Sequence, residues 1–252
     1  MKIFKEIENL CKVRNEDNHI GFTKRLEFIV NLLEKYGLNF HIDKYYSDRF
    51  DRPFYNVELL GSSNKVVVAH HDIINIKSDN ANDNSASVIN AIATKILNPD
   101  TNVVILDGEE PPYMGVGSKR CSDRILGGEY GDVDYVLNLE LTGKGGKNFI
   151  VGKHKGKLYD LIISKFDCSP FSTPFSDSVI FQEHNIDSTV ITSLPLAKEG
   201  EKDYYITETL SGKKLNWSML NNCHSINDSL ETICHEDMEV FVKEVVLEIL
   251  KY

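Results

Sequence analysis

Residues 65–72 read Lys-Val-Val-Val-Ala-His-His-Asp, and two later stretches repeat the design: Asn102-Val-Val-Ile-Leu-Asp-Gly-Glu-Glu110 and Asp134-Tyr-Val-Leu-Asn-Leu-Glu140. Each is a short, nearly continuous apolar run that closes on an acid or a histidine. A strand with one face in water alternates apolar and polar residues, whereas a run without alternation is buried on both faces, as inside a parallel sheet. Between the first and second runs, Val88, Ile89, Ile92 and Ile96 recur at helical spacing across Asn84–Leu97, and Gly115–Leu126 reads as a helix before the third. Strands alternating with helices in this way predict an α/β fold with a largely parallel central sheet.

The flanking sequence extends the pattern. Phe4, Ile7 and Leu10/Cys11 predict an N-terminal helix, and a second runs from about Thr23 to Tyr36, with Leu26, Ile29, Val30 and Leu33 on one face and Gly37 as its stop. Asn39–Tyr46, Tyr55–Leu60 and Ser188–Thr192 read as strands, Lys157–Phe166 as a helix, and His235–Leu250 as an amphipathic closing helix. There is no repeat, low-complexity tract or Ser/Gly linker. The 252 residues therefore read as a single domain over 1–252, with the helices of 1–36 packing on its core.

Charge narrows the function classes. Lys and Arg number 28 against 38 Asp and Glu, a net charge of −10 spread along the chain. Nucleic-acid binding needs a basic stripe, so no such partner is expected. No apolar run approaches the roughly 20 residues of a membrane span. Charges among the first residues, at Lys2, Lys5, Glu6 and Glu8, occupy the place of a secretion signal's apolar core, so a cytoplasmic location is expected. The five cysteines are odd in number and form no Cys-x-x-Cys pair, which predicts reduced, packed thiols. Cys223 stands next to His224, a position that alone does not make it reactive.

In open α/β sheets functional residues gather beyond the carboxyl ends of the strands. There the sequence puts His70-His71-Asp72, then Asp107-Gly108-Glu109-Glu110, then Glu140, and the helix after the first run opens with Asn82-Asp83-Asn84-Ser85. Taken singly, Asp83 is a helix N-cap, Glu109 and Glu110 are solvated loop acids, and His70 is a satisfied core histidine. Their coincidence at one sheet edge argues for a shared site. Converging carboxylates repel one another unless a cation neutralises them, so the cluster predicts a metal. Histidine mixed with carboxylate suits zinc, with cobalt or manganese as substitutes. Three carboxylates and two histidines are too many for one tetrahedral zinc and suit two ions sharing a bridging carboxylate. Such a pair, about 3.5–4 Å apart, polarises a carbonyl and activates a water together, which is hydrolytic chemistry.

At this point the chain resembles the family-28 zinc metallopeptidases, which include leucyl aminopeptidases, glutamate carboxypeptidase-like enzymes and the related glutaminyl cyclases. The resemblance runs in order through Phe54–Gly61, Ala69-His70-His71-Asp72, Asn82–Ser87, Asp107–Glu110 with Gly117-Ser118, Asn138-Leu139-Glu140, Ser176-Asp177, and Cys223-His224-Ser225 with Asp228. It implies a three-layer α/β sandwich whose mixed, mostly parallel sheet is flanked by helices. It also implies two zinc ions, one held by His70, Asp83 and Glu140 and the other by Asp83, Glu110 and His224, with Asp83 bridging. Asp72 would fix the tautomer of His70, and Glu109 would be the general base. Asp79-Asn80 competes for the bridging place, but the helical stripe that begins after Asp83 favours the latter.

Several positions depart from the family pattern. Glu140 replaces an Asp, only twelve residues separate His70 from Asp83, Pro111-Pro112 follows the glutamates, and Ser178 stands where a His is common. Asp177 reads equally as a partner of the site or as a plain N-cap. Asp228-Ser-Leu-Glu231 reads as a capping box, which leaves Asp228 outside the site. His71, His154, His184 and His235 read as surface or loop histidines. Tyr204, Tyr205 and Trp217 are candidate pocket walls, though buried aromatics are more often core.

The function expected from this resemblance is zinc-dependent exopeptidase activity, of the aminopeptidase type, on short peptides or amino-acid amides. The alternatives are a single-zinc glutaminyl-cyclase-like aminoacyltransferase and a non-catalytic metal-binding relative. The oligomeric state is open, leaning to a monomer.

Overall fold

The computed structural model describes residues 1–13, 24–74, 78–172 and 176–252. A 3-10 turn, Lys2–Glu6, leads into α1 (Ile7–Leu10), and α2 (Lys24–Lys35) follows. Next come β1 (His41–Tyr46), β2 (Pro53–Leu59), β3 (Lys65–His70), α3 (Ser87–Leu97), β4 (Asn102–Leu106), α4 (Val116–Leu126) and β5 (Tyr135–Leu139). The second half adds β6 (Phe149–Gly152), α5 (Lys157–Lys165), β7 (Ser169–Phe171), α6 (Asp177–Glu183) and β8 (Ser188–Ser193). A small hairpin of β9 (Ile206–Glu208) and β10 (Lys214–Asn216) precedes the C-terminal helix, which opens with α7 (His235–Phe241).

Among the described residues one eight-stranded sheet has the order β1-β2-β4-β3-β5-β8-β6-β7. Its centre, β4-β3-β5-β8, is parallel, while β1, β2 and β6 join antiparallel to their inner neighbours. The three apolar runs thus lie side by side, with Val67 opposite Val103 on one neighbour and Leu137 on the other. On one face Val67, Ala69, Val103, Ile105 and Leu137 pack with α3, α7 and the N-terminal residues Ile3, Phe4, Ile7 and Leu10. On the other, Val66, Val68, Val104, Leu106 and Val136 pack with Cys121 and Ile125 of α4 and Phe181 of α6. This is the expected three-layer α/β arrangement. Full burial of each aliphatic side chain is favourable by about 1.5–3 kcal/mol, which is why these unalternating runs take the interior positions. No helix among the described residues is long and apolar enough to cross a membrane.

One difference from the sequence reading matters for the site. The helix expected from Asn84 begins at Ser87, because residues 81–86 form an irregular turn in which Asp83 and Asn84 leave helical geometry. The second helix is described from Lys24, so its expected start at Thr23 lies outside the described residues. Strands β6 and β7 had no clear signal, having four and three residues.

Candidate metal centre

The parallel register brings the strand ends together. His70 is the last residue of β3 and pairs with Leu106, so Asp107–Glu110 starts just beyond it, and Glu140 follows the end of the adjacent β5. The turn of residues 81–86 brings Asp83 over these ends, and the loop after a 3-10 turn, Ser218–Asn222, brings His224.

Asp83 sits between the two histidines. Its Oδ1 lies 3.4 Å from His70 Nε2, and its Oδ2 lies 3.4 Å from His224 Nε2. Glu140 Oε1 is 3.4 Å from His70 Nε2, and Glu110 Oε2 is 2.9 Å from His224 Nε2. Glu109 Oε2 stands 3.8 Å from His70 Nε2. The structure therefore brings His70, Asp83, Glu109, Glu110, Glu140 and His224 into one cluster. Asp72 lies beneath it and contacts both His70 and the glutamate loop. His70 Nδ1 faces the Asp72 carbonyl at 3.1 Å, with the carboxylate at 3.5 Å. That carboxylate accepts the backbone N–H groups of Glu109, at 3.1 Å, and of Glu110, at 2.9 Å.

The glutamate loop rests on a rigid base. Asp107 accepts two hydrogen bonds from Arg52 and one from the Tyr55 N–H. The Arg52 guanidinium lies 3.9 Å from the Phe54 ring centroid and 4.2 Å from that of Tyr113, a cation–π sandwich. Gly108 has φ +89 beside Phe54, where a side chain would collide with the ring. At Glu140, the amide of Asn84 donates to the carboxylate and also to the Leu139 carbonyl.

The buried acids and His70 shift one another strongly. Burial, together with the charge of Glu140 and against that of His70, pushes Glu109 well above the carboxylate range. Burial and the neighbouring Asp83 push Glu110 up to about 9. Burial also raises Glu140, opposed by His70. His70 is raised well above its usual value, because Glu140 and Glu109 outweigh its burial. Asp72 and Asp83 are held below the usual range, burial being overcome by His70. Glu110 is 1% exposed, and neither of its oxygens has a hydrogen-bond partner among the described residues. A buried carboxylate without a hydrogen bond is costly unless a charge answers it. The imidazole and carboxylate donors around it supply what a divalent cation of the zinc type needs.

Two expectations are corrected, those for Asp228 and His71. Asp228 is no capping residue: it is 1% exposed, and its carboxylate accepts the backbone N–H of Asn82 at 2.8 Å and of Asp83 at 2.9 Å. Both are first-turn N–H groups, which no helical carbonyl satisfies, so Asp228 supplies their partner from a distant segment. Asp79 accepts from the Leu230 N–H and stays out of the cluster. His71 is buried, not superficial; its N–H continues the ladder to the Leu106 carbonyl and its Nε2 faces the Tyr55 carbonyl at 3.1 Å. His154, in a loop, His184, in a turn, and His235, at the start of α7, are part-exposed as expected and pair with Ser178, the Ile180 carbonyl and Glu8.

Three further residues complete the centre. Arg25, which nothing in the sequence singled out, is fully buried; it donates to the carbonyls of His71 and Leu10 and to Ser85 Oγ. Asp177 is fully buried, and burial pushes it up to about 7. The Ser118 hydroxyl beside it donates to the Gly115 carbonyl, and both Asp177 oxygens are left without a hydrogen bond. Cys223 donates its thiol to Asp83 Oδ2 at 2.7 Å. Only its adjacency to His224 signalled it in the sequence.

The cluster opens into a cavity of about 350 Å³ whose apolar wall is Met114, Ile150, Phe171, Val190, Trp217 and Leu220. Tyr205 is not in that wall and packs edge-on against Trp217 at 5.8 Å. Tyr204 is exposed.

No family model matches the chain, and no curated protein matches its sequence. Solved structures do share its fold. The LapA aminopeptidase of Legionella pneumophila superposes with a TM-score of 0.68 at 14% identity, over 99% of this chain and 69% of that one. A glutaminyl cyclase from an Acidobacteriales bacterium gives a TM-score of 0.71 at 15% identity, over 99% and 92%. A Zn-dependent exopeptidase from Parabacteroides distasonis gives 0.67 at 14%, over 99% and 97%. At this identity the likeness establishes the mixed, helix-flanked sheet as a fold common to all three.

Proposed function

We propose that the chain is a zinc-dependent exopeptidase of the aminopeptidase type, which hydrolyses the N-terminal bond of short peptides or amino-acid amides. The observation that carries this reading is the position of Asp83, with one carboxylate oxygen toward His70 and the other toward His224. His70, Asp83 and Glu140 would hold one ion, and Asp83, Glu110 and His224 the other. Zinc bound there supplies Lewis acidity to the scissile carbonyl and to the attacking water.

The remaining work belongs to the chain itself. Glu109 faces the cavity next to His70 and, as general base, takes the proton of the attacking water and returns it to the leaving amine. Asp72 sets the direction of the base by holding its backbone, and leaves His70 Nε2 free by engaging Nδ1. Met114, Phe171 and Trp217 offer the apolar wall against which a substrate side chain packs and from which water is excluded.

The test is reconstitution. Metal-stripped protein given zinc should hydrolyse members of a panel of aminoacyl nitroanilides and amides. A panel without turnover, on protein shown to hold zinc, overturns the peptidase reading and leaves a non-catalytic metal-binding protein. A second reading is favoured by the glutaminyl cyclases among the shared-fold structures, which this chain covers over more of their length than it does LapA. It predicts a single bound zinc and cyclisation of a peptide with N-terminal Gln, both measurable on the same preparation.

A further inference from the structure

We infer that the Cys223 thiol is a fourth protein donor on the His224 side of the centre, beside Asp83, Glu110 and His224. This rests on the metal-centre reading above and adds a residue that the family resemblance does not assign.

Three distances support it. Cys223 Sγ is 2.7 Å from Asp83 Oδ2, His224 Nε2 is 3.4 Å from that oxygen, and Glu110 Oε2 is 2.9 Å from His224 Nε2. Two donors of one tetrahedral zinc stand about 3.3–3.8 Å apart, since its bonds to nitrogen, oxygen and sulfur are about 2.0–2.3 Å long. The His224–Asp83 separation matches that span, and the two shorter ones would open by less than about 1 Å as a cation replaces the proton between the donors. Donor atoms of Asp83, Cys223 and His224 form one mutually close group within 4.8 Å. Glu110 gives an independent indication. It is buried at 1% exposure, has no hydrogen bond to either oxygen, and reaches to 2.9 Å from His224 Nε2.

The backbone explains how neighbouring residues face one target. Adjacent side chains of an extended segment point to opposite sides. Cys223 is extended, at φ −51 and ψ 135, but His224 has φ 56, in the left-handed region. That turn breaks the alternation and brings the sulfur and the imidazole to the same carboxylate.

The chemistry then separates the two halves of the centre. A thiolate is a soft donor that favours zinc over manganese or magnesium. Sulfur gives up its proton to solvent as it takes the cation, so the cation–sulfur bond replaces the S–H bond with no change of oxidation state. Four protein donors close the His224 side, because a tetrahedral zinc with four protein ligands has no open position. The His70 side, with His70, Asp83 and Glu140, keeps its open position, and that is the side on which Glu109 stands.

Cobalt(II) loading of the full chain tests this. The expected spectrum has a near-ultraviolet sulfur-to-cobalt charge-transfer band in the unmodified protein, lost in both Cys223→Ser and Cys223→Ala. X-ray absorption of the zinc-loaded unmodified protein should show a sulfur neighbour at about 2.3 Å, a readout that requires no variant to fold. Bound cobalt without the band, zinc without a sulfur neighbour, or a band that survives in Cys223→Ser overturns the assignment while the metal-centre reading stands. Neither metal binding overturns both.

Discussion

Asp228 holds the backbone of Asp83 from 145 residues away, accepting its N–H at 2.9 Å through one oxygen while the other accepts that of Asn82 at 2.8 Å. The bridging carboxylate is thereby fixed from behind, by a residue that touches none of the histidines in the described contacts. Asp228→Asn keeps one acceptor and turns an N–H₂ group toward a backbone N–H, so one bond becomes a clash of donors. Loss of such an outer partner typically costs about 10–100-fold in metal affinity. Zinc affinity measured by chelator competition should fall in that range, with the far-ultraviolet circular dichroism unchanged. An unchanged affinity would mean that Asp83 is held well enough by its neighbours alone.

Glu109→Gln preserves shape and removes the proton acceptor. Zinc content should be retained, and turnover of any nitroanilide found to be a substrate should fall by about two to four decades, the usual contribution of a positioned general base. Metal analysis and steady-state kinetics on one preparation separate this from simple loss of the ion.

Asp177 makes the metal-free protein sensitive to pH. Its carboxyl moves from an ordinary value of 3.8 to about 7 because of burial, moderated by His70 and reinforced by Glu140. The folded state then binds the proton more tightly than the unfolded chain. The resulting stability is fully present below about pH 4 and is lost as the pH rises through 7. A shift of about three pKa units corresponds to roughly 4 kcal/mol over that window. Urea unfolding of stripped protein between these pH values should show stability falling with pH, and Asp177→Asn should fall less by an amount of that order. Parallel curves for the two proteins would place the effect in other groups.

Arg25 should be among the most costly side chains to remove. Its guanidinium is fully buried against two carbonyls and Ser85 Oγ, with the charges of Asp72, Asp83 and Asp228 nearby. Arg25→Leu strands those acceptors and leaves the acids without their internal cation. Removing one partner of a buried charge array costs about 3–5 kcal/mol. Urea denaturation of the zinc-loaded protein should register that loss, and Arg25→Lys should recover only part of it, since one ammonium cannot reproduce the fork.

What the sequence revealed and what it hid follow from range. The interior strands were legible because burial on both faces writes itself into Val66–Ala69, Val103–Leu106 and Val136–Leu139 without reference to any other part of the chain. The acids at their ends were legible because parallel pairing puts equivalent ends at one edge. Asp228 was misread because Asp-x-x-Glu has a local meaning, helix capping, whereas its actual partners lie at Asn82 and Asp83. Arg25 gave no signal because its acceptors lie in three other segments. His71 lay beyond period-based reading because the β3 ladder runs one bond further than its apolar run.

Asp72 ties the end of β3 to the loop after β4, since His70 Nδ1 approaches its carbonyl and carboxylate while Glu109 and Glu110 donate to that same carboxylate. Substitutions at these four positions will therefore be strongly non-additive. Once Asp72 is lost, the orientation that made either glutamate useful is already spent, and a second change will cost less than it does alone. The centre is better understood as one energetic unit spanning two strand ends than as a set of separable residues.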